Sequence, residues 1–215
     1  MLPALIAALL VGVMPEIHIR TFGTSRVVEA AVQAVEVSGH MHLGQRPREM
    51  YAQAIENRTA GWSALFSALF YVVATLLSGM LMNISLLGAE ARVTPRNALV
   101  ATSVSRLAEI VLRIAMWGWA IAARGLDDAA AGDWTHVAQV NAASVLGVDG
   151  SAAFITFLAQ VDAFQACAVA VSAVVLRRLV PGLSWPVTVA ASLAWAVVLM
   201  LVRVALSTVV NYPLL

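Results

Sequence analysis

Long apolar stretches alternate with short polar segments along the chain, and this pattern predicts a bundle of membrane-spanning helices. A helix needs about 20 mostly apolar residues to cross the hydrocarbon core of a bilayer. The predicted fold class is therefore all-α, a polytopic bundle of about five spans within one membrane domain that covers residues 1–215. The predicted spans are residues 1–19, 61–88, 98–123, 153–176 and 186–211.

The first of these stretches is the shortest and has alternative interpretations. Residues 1–14 are too few to cross a bilayer, so the predicted span continues through Pro15 to Ile19. A packed helix and a cleaved signal peptide are the alternatives, but a signal peptide begins with positive residues and none precedes Leu2. We therefore expect a first span, and the pattern leaves open whether Met1 is the true start of the chain.

Residues 20–60, between the first two spans, are the most polar part of the chain. Valine and alanine recur there at helical spacing, at Val27, Val28, Ala31, Val32, Ala34 and Val35. Such a face suits a helix packed against the bundle and followed by a loop, or a helix lying on the membrane surface. The packed helix and loop are the favoured interpretation.

Composition agrees with a lipid environment. Hydrophobic residues make up 61% of the chain and charged residues 12%, whereas soluble domains have about 45–50% and about 25%. The net charge of +1 provides no basic field for nucleic acid, so none is expected as a partner. Every basic residue is arginine. Together with the richness in alanine and valine, this favours a GC-rich bacterial source and hence the inner membrane.

The charges of the loops predict an orientation, because short loops with excess arginine face the cytoplasm. Arg177 and Arg178 form a basic turn, and Arg92 and Arg96 place the loop at residues 88–97 on the same side. The loop at residues 124–150 is acidic and belongs outside, so the N-terminus is predicted inside and the C-terminus outside. Aromatic residues suited to the interface fall at the predicted outer boundary (Trp62, Trp117, Trp119 and Tyr212) and at the inner one (Trp185).

Five charged residues lie inside the third, fourth and fifth predicted spans, where such groups are costly and informative. Arg106, Glu109 and Arg113 follow the spacing i, i+3, i+7, which places them on one helix face. The rise of a helix puts Asp162 and Arg203, on two other spans, at nearly the depth of Arg113. We therefore predict a buried charge cluster of Arg113, Asp162 and Arg203, with Glu109 below it.

Two functions compete for this cluster. One is a polar lock between helices, which suits a scaffold or interaction protein because the charges nearly balance and can pair. The other is an ion or solute path in a small permease or ion-coupled transporter. A membrane-embedded enzyme ranks third.

Motifs for catalysis or cofactor binding are absent from the sequence. It contains no phosphate-binding glycine loop, no zinc spacing and no serine elbow, so no catalytic, cofactor-binding or metal-binding residues are predicted. His40 and His42 alone are poor candidates for a metal site. The single cysteine, Cys167, lies in an apolar run and is expected to be a small buried hydrophobic residue.

The second half of the chain carries a pattern similar to a known family. A Leu-Gly step ends the segment at residues 141–147, and Asp162 stands two residues before Phe164 at the opening of the penultimate span. Two closing spans follow, separated by a short basic turn near Trp185. Over residues 61–215 these features resemble the Yip family, named for Ypt-interacting proteins, in its bacterial form.

The resemblance implies a non-enzymatic membrane protein of five spans with a cytosolic N-terminus. Eukaryotic Yip proteins bind prenylated Rab GTPases in Golgi traffic, and bacteria lack that machinery. Only Asp162 and Phe164 carry over as family-like positions, and neither has a catalytic role. Cys167 stands where members often have Trp. The expected partners are membrane lipid and other membrane proteins or further copies of the chain.

Overall fold

A computed structural model describes residues 2–39, 49–50, 53, 62–87, 93–128, 158 and 161–210. Within these residues the fold is all-α, with six helices and no strand. The helices are α1 (Leu2–Phe22), α2 (Thr24–Gly39), α3 (Trp62–Ser85), α4 (Pro95–Asp128), α5 (Ala163–Leu179) and α6 (Trp185–Val210). Most of the predicted loop at residues 124–150, from residue 129 onward, lies outside the described residues.

Helix ends follow from local chemistry. Gly23, with φ of 84°, separates α1 from α2 and donates its N–H to the carbonyl of Ile19 at 2.8 Å, the left-handed ending that glycine permits. Before α4, the Thr94 hydroxyl accepts from the N–H of Asn97 at 3.3 Å and Pro95 occupies the first turn, where its missing N–H costs nothing. Near its other end α4 is interrupted at Gly125, with φ of 74°.

The first predicted span is one helix. α1 continues through Pro15 to Phe22 without a break in its assignment, so the apolar stretch and the residues after it form one helix. It is followed by α2, which packs back on it and buries Val28 and Val32. Burial of these two valines is what the packed interpretation predicts, and the side chains of residues 31 and 33–35 lie outside the described part of the chain.

The fourth predicted span begins later than the hydropathy suggested. α5 starts at Ala163, and Asp162 is its N-cap, with an extended backbone (φ −122°, ψ 165°). The Asp162 carboxylate accepts from the N–H of Gln165 at 2.7 Å, and a side chain that caps in this way ends the helix at its own position. The prediction of one continuous helix from residue 153, with Asp162 well inside it, is therefore wrong.

Consecutive long helices run in alternating directions, and α4 is central. It packs against α1, α3 and α5 and touches α6 where Arg106 covers Trp195. For α1 and α3, Gly12 lies against Ala64, and Ala4 and Thr75 line the same cavity. For α4 and α5, Arg113 pairs with Asp162, and Ala98 and Leu176 belong to one buried apolar cluster. For α5 and α6, Ser172 meets Ser192 and Arg177 meets Trp185.

Small residues allow the helices to approach closely. A Cβ atom on Gly79 of α3 would lie 3.1 Å from the Cα of Leu99 on α4, and one on Gly12 of α1 would lie 2.9 Å from the carbonyl oxygen of Ala64. Ala7 and Ala8 are buried beside Gly12. Contacts of this kind, with backbone against backbone, are typical of helices packed within a membrane.

Large apolar side chains point away from the bundle. Two helices are long and apolar enough to cross a bilayer, Leu2–Phe22 and the Ser67–Ser85 part of α3, and only 33% and 22% of these windows are buried within the described structure. Trp185–Leu201 is a shorter apolar helix. The exposed side chains include Leu2, Leu5, Leu9, Leu65, Leu69, Phe70, Leu77, Met80, Ile84, Leu193 and Leu201.

Cys167 is one of the outward-facing residues, so its predicted burial is wrong. The inward face of α5 carries Phe164, Ala168 and Ser172, and Cys167 projects from a different side of the helix. Because α5 is apolar on most of its circumference, the apolar run around Cys167 did not distinguish the two faces.

Candidate functional site

The candidate site is a charge cluster that begins on one face of α4. Glu109 lies between two arginines: its Oε2 accepts from Arg106 Nη1 at 3.2 Å, and its Oε1 accepts from Arg113 Nε and Nη2 at 3.2 and 3.0 Å. These separations of three and four residues follow directly from helix geometry. One carboxylate therefore serves two guanidinium groups.

Asp162 extends this cluster to α5. Its Oδ2 accepts from Arg113 Nη2 at 2.6 Å, while its Oδ1 caps the helix at Gln165. A carboxylate at a helix N-terminus is favoured by the unpaired N–H groups there. Asp162 therefore fixes the start of α5 and joins α5 to α4 with the same side chain.

Aromatic rings cover both arginines. The Cζ of Arg106 lies 5.0 Å from the centre of the Trp195 ring on α6, and the Cζ of Arg113 lies 5.0 Å from the Phe164 ring on α5. A guanidinium group over an aromatic face is stabilised by the ring quadrupole, more strongly where water is excluded. Arg106 thus connects α4 to α6 in the way that Arg113 connects α4 to α5.

Among the residues that the structure describes, the cluster is almost fully buried and its two arginines balance its two carboxylates. Arg106 and Glu109 are each 4% exposed, and the side chains of Arg113 and Asp162 are 9% and 7% exposed. Two positive and two negative groups form one continuous chain of ion pairs. Breaking one buried pair leaves an uncompensated charge, which costs far more than the net gain from forming the pair.

Four of the five predicted charges therefore lie together, with Arg113 as the partner of Asp162. The side chain of Arg203 lies outside the described residues, and its backbone belongs to α6. Residue 203 follows Trp195 by about 12 Å along α6, and Arg113 follows Arg106 by about 10 Å along α4. Since Arg106 contacts Trp195, the Cα of residue 203 lies near the depth of Arg113.

A second polar contact, not identified from the sequence, joins α1 to α4. The indole Nε1 of Trp117 donates to Nδ1 of His18 at 3.0 Å, and His18 is 3% exposed and stacks at 4.8 Å on Phe22. The available signal was a histidine within a predicted span, because a polar side chain there needs a partner. Trp195 was also missed, since an aromatic residue in an apolar span has no distinguishing pattern.

Buried hydroxyl groups are a further polar feature of the described helices. Most of them donate to a carbonyl three or four residues earlier in their own helix, and Ser192 donates across to Ser172 at 3.3 Å. Hydroxyls bonded in this way satisfy their own polarity and permit close packing. They are Thr75, Ser78, Thr102, Ser105 and Thr188.

Comparison of the chain with protein-family models, with curated proteins and with solved structures finds no match.

Proposed function

We propose that this chain is a non-enzymatic integral membrane protein of the bacterial inner membrane, related to the bacterial Yip proteins, with a scaffold or interaction role. In this proposal α1, α3, α4, α5 and α6 each traverse the bilayer, with the N-terminus inside and the C-terminus outside. Lipid covers the outer surface of the bundle. Other membrane proteins or further copies of the chain are its partners.

The inverted distribution of polarity carries this proposal. Ionised residues such as Arg106 and Glu109 are buried, while leucines such as Leu5 and Leu69 are exposed. In water this arrangement would expose a large apolar surface and exclude the charged groups from solvent, both at a cost. In a bilayer the exposed leucines meet acyl chains and the charges are shielded from lipid by neighbouring helices.

Pairing within the cluster supports a structural role over a transport role. A permease or ion-coupled transporter needs charged groups that a solute or water reaches from one side. Here Glu109 and Asp162 are occupied by arginines and almost fully buried. A lock of this kind holds α4, α5 and α6 in a defined arrangement, which is what a scaffold requires.

Membrane insertion is the first test of the proposal. The tagged chain is expressed in a bacterial host, and its membranes are washed with alkaline carbonate and then with detergent. We expect the chain to resist carbonate and to be released by detergent, because its spans are embedded in lipid. Release by carbonate alone would contradict the proposal.

The second test substitutes members of the charge cluster to distinguish a structural lock between helices from a transport path. Asp162→Asn keeps a side-chain oxygen that caps α5 but removes one of the two carboxylates that pair with Arg113. The folded yield should therefore fall, because the uncompensated buried charge destabilises the fold by on the order of 3–5 kcal/mol. Adding Arg113→Gln leaves the neutral Arg106–Glu109 pair and should restore most of the yield. The measurement is the monodisperse fraction in detergent.

Glu16→Gln is the matched control, since Glu16 and Arg20 form an exposed pair at 2.7 Å whose loss should cost less than about 1 kcal/mol. Normal yield of Asp162→Asn, combined with altered proton or solute flux in reconstituted vesicles, would instead support the transporter.

A further inference from the structure

One end of the bundle carries a surface of positive charge. α4 and α6 begin there and α5 ends there, so Arg96, Arg177 and Arg178 lie at this end. An apolar cluster beneath these arginines connects the helix ends. Its members here are Leu86, Ala98, Leu176, Val180 and Leu183. We name Arg96, Arg177, Arg178 and Trp185 the basic collar.

No carboxylate neutralises the collar within the described part of this end. The first turns of α4 and α6 contain no acidic residue. The partial positive charge of these two N-termini is offset by the C-termini of α3 and α5 at the same end, so the arginine side chains supply the charge. Arg96 and Arg178 are exposed. The collar therefore favours an anionic partner.

Trp185 holds the guanidinium group of Arg177 at the edge of the apolar surface. The Cζ of Arg177 lies 4.7 Å from the centre of the Trp185 ring, and Trp185 is 48% exposed. On the same helix Val189 and Leu193 are exposed. An indole ring between an apolar face and a charged group matches the boundary between acyl chains and headgroups.

Helix rise places the collar at headgroup depth. Arg96 precedes Arg106 by ten residues, and Trp185 precedes Trp195 by ten residues, so each lies about 15 Å from the level where Arg106 meets Trp195. The hydrocarbon core is about 30 Å thick. With the charge cluster near the bilayer centre, the arginines reach the layer of phosphate groups.

We infer that the basic collar binds the headgroups of anionic phospholipids. Guanidinium groups match the geometry of phosphate oxygens and can bind two at once, and the negative cytoplasmic leaflet attracts arginines near the surface. This inference rests on the proposed membrane location, and it adds a lipid specificity to it. Bound anionic lipid would fasten the ends of α4, α5 and α6 to one leaflet.

Lipid selection by the full chain tests the inference. The chain is reconstituted in an equal mixture of phosphatidylglycerol and phosphatidylcholine, and the lipids that stay bound are counted by native mass spectrometry. We expect phosphatidylglycerol to be enriched about fivefold. The variant R177Q/R178Q should lose most of this enrichment.

The matched control is R20Q/R26Q, which also removes two positive charges. These lie at the end of α1 and the start of α2, at the end of the bundle opposite the collar. It should keep the enrichment. Arg178→Gln alone, at an exposed position, covers the case in which the double variant fails to fold, and it should reduce the enrichment in part.

Equal loss in R177Q/R178Q and R20Q/R26Q, or no enrichment in the unaltered chain, would overturn the inference. Loss of the enrichment on adding millimolar inorganic phosphate would identify a soluble anion as the ligand and would also overturn it. A chain that enters the bilayer without selecting phosphatidylglycerol disproves only the lipid specificity. A chain that does not enter the bilayer disproves the proposed function.

Discussion

His18 and Trp117 illustrate how single polar side chains are accommodated between apolar helices. Burying an imidazole nitrogen without a donor would cost about 1–3 kcal/mol. The indole N–H of Trp117 supplies that donor at 3.0 Å, and the Phe22 ring lies at a tilt to the imidazole, 4.8 Å away. Because His18 lies on α1 and Trp117 on α4, this bond joins the two helices.

Replacing Trp117 with phenylalanine tests this contact. Trp117→Phe keeps an aromatic ring but removes the donor to His18, so we expect a loss of about 1–3 kcal/mol in the free energy of unfolding. The measurement is unfolding of the detergent-solubilised chain by a chemical denaturant.

Trp119→Phe is the control, because Trp119 is 58% exposed and its replacement should change the free energy by less than about 0.5 kcal/mol. Equal effects of the two substitutions would mean that the hydrogen bond to His18 contributes nothing measurable.

The close packing of helix α3 on helix α4 depends on one glycine. Gly79 is helical and lies very close to α4, because a Cβ would meet both the Cα and a side-chain carbon of Leu99 at 3.1 Å, so that Leu99 would have to shift by a few tenths of an ångström. Gly118 is also helical, and a Cβ there would meet nothing within 4 Å. The same residue type thus serves packing at one position and has no contact role at the other.

These two glycines provide a matched pair of substitutions. Gly79→Ala should destabilise the bundle by about 1–3 kcal/mol, since α3 and α4 must move apart. Gly118→Ala should be neutral or stabilise by up to about 1 kcal/mol, because alanine is the better helix former. Thermal unfolding in detergent measures both, and a stabilised Gly79→Ala variant would contradict the packing described for these helices.

Alternating helix directions organise the whole molecule into two ends of different chemistry. One end carries the basic collar, and the other carries the Glu16–Arg20 pair and the turn into α2 at Gly23. The arginines of the collar favour the cytoplasmic side. The proposed orientation therefore assigns the two ends to opposite compartments.

Labelling of single cysteines tests this orientation. Because the chain has one cysteine, Cys167→Ala gives a cysteine-free background, and Ser25→Cys and Gly182→Cys then place a thiol at opposite ends of the bundle. A membrane-impermeant maleimide should label Ser25→Cys in spheroplasts and Gly182→Cys only after lysis. The reverse pattern would invert the topology, and labelling of both before lysis would contradict the proposed spans.

Local patterns in the sequence predicted most of the helices and the charged face of α4. Hydropathy located α3, α4 and α6 to within a few residues, and the spacing of Arg106, Glu109 and Arg113 determined their mutual pairing, because residues three and four apart share a face in any α-helix. These features depend only on local covalent geometry and solvation.

Helix rise predicted that Asp162 and Arg113 lie together, but their direct ion pair is seen only once the helices are packed. The same is true of Trp195 under Arg106, Trp117 with His18, and the outward position of Cys167. Each depends on how far a helix is rotated about its axis. A helix that is apolar on nearly all sides carries no periodic signal for that rotation, so the packing of small residues and the few polar partners set it.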